Sequence, residues 1–146
     1  MVLWEGSCIV HEAFSIEKLI DLYRKHPEAV IVAHPESETH ILKTAQYVGS
    51  TSGIREYVKN SAKNTFIVAT EAGILHQMQK DVPHKTLIPA PAKEDNTCAC
   101  SECAFMKLNT LDKLYKCLKN ETPEIILDKQ LMAEARISIE RMMALS

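Results

Sequence analysis

No long stretch of this chain is uniformly apolar, and neither sign of charge dominates it. No apolar run reaches the roughly 18 residues that a membrane-spanning helix needs, so no membrane partner is expected. The segment before Cys8 has no basic region and no long apolar core, so no secretory leader is expected. The net charge of −2 gives no reason to expect a nucleic-acid partner. No internal repeat or low-complexity segment appears. What remains is an ordinary globular composition, 46% hydrophobic and 25% charged over 146 residues, long enough to bury a core. The expected compartment is the reducing cytoplasm, where five cysteines favour metal ligands or free thiols over disulfides.

The pattern along the chain is alternating strand and helix. Val2-Leu3-Trp4 reads as the end of a strand. Ser15 is a candidate N-cap for a helix over 16–25, with Ile16, Leu19, Ile20 and Tyr23 on one face. The continuous apolar runs 29–33 and 65–70 read as strands covered on both faces, and 86–88 as a third. Helices are expected over 38–48, from 54 onward after the 49–53 turn, and over 73–80. This alternation predicts an α/β fold, a three-layer α-β-α domain with a parallel sheet. After Pro91 the texture changes. A Cys-containing loop, a helix over 110–118, a strand over 125–127 and a final helix capped by Asp128 are expected. The expected organisation is therefore an α/β domain over 1–91 and a mainly helical segment over 92–146.

Ligands of parallel sheets bind at the carboxyl ends of strands. Cys8 and His11, His34-Pro35-Glu36, and Thr70-Glu71 all follow expected strands. Ser50-Thr51-Ser52 precedes a helix, where hydroxyls and free N–H groups suit a carboxylate or phosphate. A rim of thiolate, imidazole and carboxylate beside an anion pocket suits metal-assisted chemistry on a small acidic substrate. Plainer readings stand beside these. Ser50 can be only a helix cap, His34 a loop residue, Glu71 a first-turn acid, and Cys8 a small buried hydrophobe. Cys117 and the Met and Leu positions after Asp128 read as core packing. Cys98, Cys100 and Cys103, three cysteines in six residues, favour metal or redox chemistry.

Five blocks in order carry a resemblance. They are Trp4-x-Gly6-x-Cys8-x-Val10-His11, His34-Pro35-Glu36-Ser37, Val48-Gly49-Ser50-Thr51-Ser52, Ile67-Val68-Ala69-Thr70-Glu71-x-Gly73, and Cys103-x-x-Met106-Lys107-x-Asn109. Together they resemble quinolinate synthases. The resemblance implies a transferase of NAD biosynthesis that condenses iminosuccinate with dihydroxyacetone phosphate. It implies a [4Fe-4S] cluster held by three cysteines, with one iron left open as a Lewis acid. It assigns Cys8 and Cys103 as two of those ligands, and places His11 near the open iron. It gives His34, Pro35, Glu36, Ser50 and Thr51 to substrate binding, with Glu36, His34 and His11 in the proton-transfer steps. Cys98 and Cys100 match extra cysteines found in part of the family and are not expected to ligate the cluster.

The family has three similar α/β domains, and this chain resembles the third domain and the segment that follows it. The third cysteine ligand is expected outside this sequence. The chain is therefore expected to be a fragment or one half of a split enzyme, inactive alone and completed by an N-terminal partner. The apolar faces at Leu111, Leu114 and Leu131 are expected to pack on that partner's first domain. The competing reading is a non-catalytic module in which Cys98, Cys100 and Cys103 hold zinc with one histidine.

Overall fold

The structure, a computed structural model, describes residues 6–93 and 101–145. Val2-Leu3-Trp4, Cys98 and Cys100 lie outside the described residues. Contacts divide the chain into two compact units, Met1–Ala104 and Phe105–Ser146.

The first unit is built on a four-stranded parallel sheet in the order β2-β1-β3-β4. The strands are β1 (Val30–Ala33), β2 (Tyr47–Val48), β3 (Thr65–Ala69) and β4 (Thr86–Pro89). Between and before them run α1 (Ile9–Glu12), α2 (Ile16–Lys25), α3 (Thr39–Leu42), α4 (Thr51–Asn60) and α5 (Gly73–Asp81). In the central strands Val30-Ile31-Val32-Ala33 and Phe66-Ile67-Val68-Ala69 are buried and apolar because both faces are covered, and the two-residue pleat sorts them. Ile31, Ala33, Ile67 and Ala69 face one core with Val10, Phe14, Leu19 and Ile41. Val30, Val32, Phe66 and Val68 face the other with Ile54, Val58, Met78 and Val82. This is the expected α/β architecture with helices on both faces.

Local chemistry sets the helix ends. Ser15 caps α2, its hydroxyl accepting from the Lys18 N–H at 3.3 Å. Ser50 caps α4 through Gly53 N–H at 3.2 Å. Arg55 of α4 and Asp81 of α5 pair through two hydrogen bonds, and the guanidinium holds the Asp81 carboxyl below its ordinary range.

The helix expected over 38–48 stops early. Only Thr39–Leu42 is helical, and Tyr47–Val48 is the edge strand β2. Gln46 accounts for this: its N–H donates to Ile31 O at 2.9 Å, and its side-chain oxygen accepts from Ile31 N–H at 2.6 Å. Those bonds draw the chain alongside β1 and override local helix propensity.

The second unit contains a 3-10 turn, Met106–Leu108, then α6 (Leu111–Asn120) and α7 (Lys129–Leu145). Thr110 caps α6 through the Lys113 N–H at 3.2 Å, and Asp128 receives the Leu131 N–H at 3.0 Å as expected. The strand expected over 125–127 is absent: the segment is irregular and pairs with no described strand. The expected core roles of Cys117, Leu131, Met132, Met142 and Met143 are also corrected, because all are exposed. Every described residue of this unit is exposed.

Candidate functional site

The carboxyl ends of the strands place the chemically capable residues on one edge of the sheet. β1 and β3 are paired in register, Ala33 opposite Ala69, so the chain leaves both strands at one level. The His34 N–H continues the ladder to Ala69 O at 3.0 Å. His34 to Ser37 form the turn after β1, and Thr70 and Glu71 follow β3. The Gly49 N–H donates to Ala33 O at 3.1 Å, which sets the Gly49-Ser50-Thr51 turn beside the His34 turn. Cys8 enters from the opening segment as the residue before α1, in extended backbone and with no side-chain cap bond.

Two histidines stack at the centre. The rings of His11 and His34 lie 4.3 Å apart at 7°. His11 is buried, and both its nitrogens are engaged. Nδ1 is 3.1 Å from Glu36 Oε2, and Nε2 is 3.2 Å from Thr70 Oγ1. A carboxylate only accepts, so Nδ1 carries the proton and Nε2 accepts from the Thr70 hydroxyl. His34 is fixed the other way, since its Nδ1 accepts the Glu36 backbone N–H at 3.3 Å. That leaves its Nε2 as the donor. Burial, and then the neighbouring His34 ring, hold His11 below its ordinary pKa against the opposing pull of Glu36. Two stacked rings beside one exposed carboxylate result.

Cys8 joins this group. One ligand atom from each of Cys8, His11 and Glu36 lies within 4.8 Å of the others. Cys8 and Cys103 are free, half-buried, and packed against the same core cluster. The second cysteine is held by its backbone: Cys103 N–H donates to Glu71 Oε1 at 3.4 Å. Two residues earlier, Ser101 is buried in left-handed backbone (φ 69°). It accepts the Ala72 N–H at 2.7 Å and donates its hydroxyl to Ala90 O at 2.9 Å.

The structure thus brings together Cys8, His11, His34 and Glu36, with Pro35 in the turn between the last two. It sets Ser50 and Thr51 on the adjoining turn. The Ser50 hydroxyl is used as the α4 cap, which is the plain reading of that residue, while Thr51 opens the helix half-buried. Glu71 also fulfils its plain reading, accepting the Gly73 N–H at the start of α5 at 2.8 Å, and adds the tie to Cys103. The sequence places Thr70 after a strand without giving it a role, and it does not single out Ser101. Their roles depend on contacts to residues far along the chain, and no local spacing carries that signal.

A family model described as Quinolinate synthetase A protein matches residues 1–144. The chain is 54% identical over its full length to a quinolinate synthase of Microcystis aeruginosa, of which the match covers 45%. It is 53% identical to one of Synechococcus sp., covering 45% of it, and 51% identical to one of Nostoc punctiforme, covering 44%. The chain spans less than half the length of these curated relatives.

Proposed function

The chain belongs to the quinolinate synthase family, and from that premise we propose that it carries part of a quinolinate-forming active site. The reaction is the condensation of iminosuccinate with dihydroxyacetone phosphate to quinolinate, the pyridine precursor of NAD. The observation that supports this most is the convergence of Cys8, His11, His34 and Glu36 on one edge of the sheet.

The donor set suits an iron–sulfur cluster in part. Cys8 and Cys103 are soft, free thiols packed on one core face, and they would hold two of its irons. A cluster in the family manner takes three thiolates, so the third comes from a partner segment. When bound, the cluster supplies an open iron as a Lewis acid.

The protein groups divide the remaining work. His34, fixed with its proton on Nε2, presents a hydrogen-bond donor to a substrate oxygen. Glu36 is half-exposed and acceptor-only, and suits the general base. His11 orients that carboxylate through Nδ1–H. Thr51 and the free N–H groups opening α4 bind a carboxylate or phosphate, with Ser50 shaping the turn.

The test is anaerobic reconstitution with iron and sulfide, first of the chain alone and then with a polypeptide supplying the rest of the family sequence. The expected result is turnover only in the mixture. In that mixture Glu36→Gln lowers kcat by about 10²–10⁴ while leaving iron content unchanged. Turnover by the chain alone, or full activity of the Glu36→Gln assembly, contradicts the reading.

A further inference from the structure

We propose that Ser101 is a positioning residue for Cys103: it fastens the chain two residues before that thiol to the segments that hold Cys8 and His11. The part of Cys103 as a cluster ligand rests on the function proposed above; the fastening itself does not.

Ser101 is a polar residue buried in costly backbone. It is 5% exposed and adopts φ 69°, in the left-handed region that residues with a Cβ seldom enter. A residue other than glycine stays there only where its surroundings hold it, and such positions gather at ligand clamps. Two bonds do the holding. The Ser101 carbonyl accepts the Ala72 N–H at 2.7 Å, and the Ser101 hydroxyl donates to Ala90 O at 2.9 Å. Ala72 follows β3 and Ala90 follows β4, so the chain is pinned to two strand ends at once.

Both anchors lead to the Cys8 and His11 segment. After β3, three consecutive residues each hold a different group. The Thr70 hydroxyl donates to His11 Nε2 at 3.2 Å, Glu71 Oε1 accepts the Cys103 N–H, and the Ala72 N–H reaches Ser101. After β4, the chain beyond Ala90 pairs with the residues that follow α1. Ser15 N–H donates to Pro91 O at 3.0 Å, Lys93 N–H donates to Ala13 O at 2.7 Å, and Phe14 bridges Ala92. Ser101 thus sets Cys103 in register with a thiol and an imidazole from the other end of the unit. The direct tie from Glu71 to the Cys103 N–H is long, at 3.4 Å, which leaves Ser101 as the stronger of the two. A ligand held in place beforehand needs no ordering when its metal group arrives, and partners one step outside the ligands supply that order.

The first experiment alkylates the reduced 146-residue chain under argon with isotope-coded reagent and reads each cysteine by mass spectrometry. Ser101→Ala removes the bond to Ala90. Ser101→Gly removes the same bond and adopts the left-handed backbone freely, so it tests the clamp without strain. In both variants Cys103 should react several-fold faster while Cys8 keeps its rate. A serine with a merely structural role would speed the two cysteines together. The second experiment reconstitutes the chain with iron, sulfide and a polypeptide supplying the rest of the family sequence. The Ser101→Ala assembly should lose iron to a chelator about tenfold faster or more, and its reduced cluster should give an altered electron paramagnetic resonance spectrum. An unchanged ratio of Cys103 to Cys8 rates in either variant overturns the proposal. So do an iron-loss rate and a resonance spectrum identical to those of the unsubstituted assembly. If the unsubstituted assembly takes up no cluster, the ligand role of Cys103 fails with the function proposed above, and the alkylation ratio alone then decides the clamp.

Discussion

Gly73 is kept small by a carboxylate. A Cβ built there would lie 2.7 Å from Glu71 Oε2 and 3.3 Å from Oε1. That carboxylate sits where it does because it accepts from two backbone N–H groups, Gly73 at 2.8 Å and Cys103 at 3.4 Å. In a helix interior alanine would be favoured over glycine by about 1 kcal/mol. At the helix start that gain is offset by displacing an acceptor that satisfies two donors, each worth about 0.5–1.5 kcal/mol. Gly73→Ala should therefore leave overall stability nearly unchanged and free the backbone at Cys103. Isotope-coded alkylation read by mass spectrometry should show Cys103 reacting several-fold faster, with Cys8 unchanged. Equal Cys103 rates in the two proteins would mean that Glu71 does not hold this cysteine.

At the scale of elements, the sheet ties its helices down with buried polar groups as well as apolar faces. Lys85, just before β4, is buried, and its ammonium donates to Val58 O and Ser61 O, each at 2.6 Å. Those carbonyls close the C-terminal end of α4, where a cation is favoured by the helix dipole. The ammonium also lies 5.6 Å over the Phe66 ring. Lys85→Met keeps the stem and removes the donors, leaving the Val58 and Ser61 carbonyls without the lysine. A loss of about 1–3 kcal/mol is expected, measured as a lower urea midpoint at unchanged slope. The sequence makes the central strands legible because positions covered on both faces are apolar in succession, as in Val30-Ile31-Val32-Ala33 and Phe66-Ile67-Val68-Ala69. It conceals β2, where two bonds from Gln46 to Ile31 decide the outcome from 15 residues away. It misleads at 125–127, where an apolar run without a partner strand stays irregular. The same limit governs the site. Cys8, His11, His34 and Glu36 stand out by type, and His34 and Glu36 also by position after β1. The Thr70 bond to His11 spans 59 residues, and no periodicity reports it.

The two units differ at the scale of the whole molecule in what sustains their helices. In the first, α2, α4 and α5 each bury residues against the sheet, and Phe14, Phe66, Ile54 and Ile67 are wholly inaccessible. In the second, Leu111 is 86% exposed and Leu118 is 74% exposed, and α7 buries no residue along its length. Helices of fewer than about 12–15 residues are marginal in water without an apolar face to bury, so α6, with ten, has little beyond its Thr110 cap to sustain it. The 17 residues of α7 are longer and gain exposed pairs such as Arg136 with Glu140 at 2.7 Å, worth a few tenths of a kcal/mol. Amide exchange in the isolated chain should therefore be graded. The amides of β1 and β3 should open only with global unfolding, while those of α6 and α7 should exchange at least about a hundredfold faster through local opening. A surface that covers Leu111, Leu114 and Leu131 should slow α6 and α7 without altering β3, because it adds burial where none exists and leaves the sheet's own core as it was. Protection of α6 and α7 equal to that of β3 in the chain alone would show that these helices are already sustained by burial, and that their apolar faces are not open for a partner.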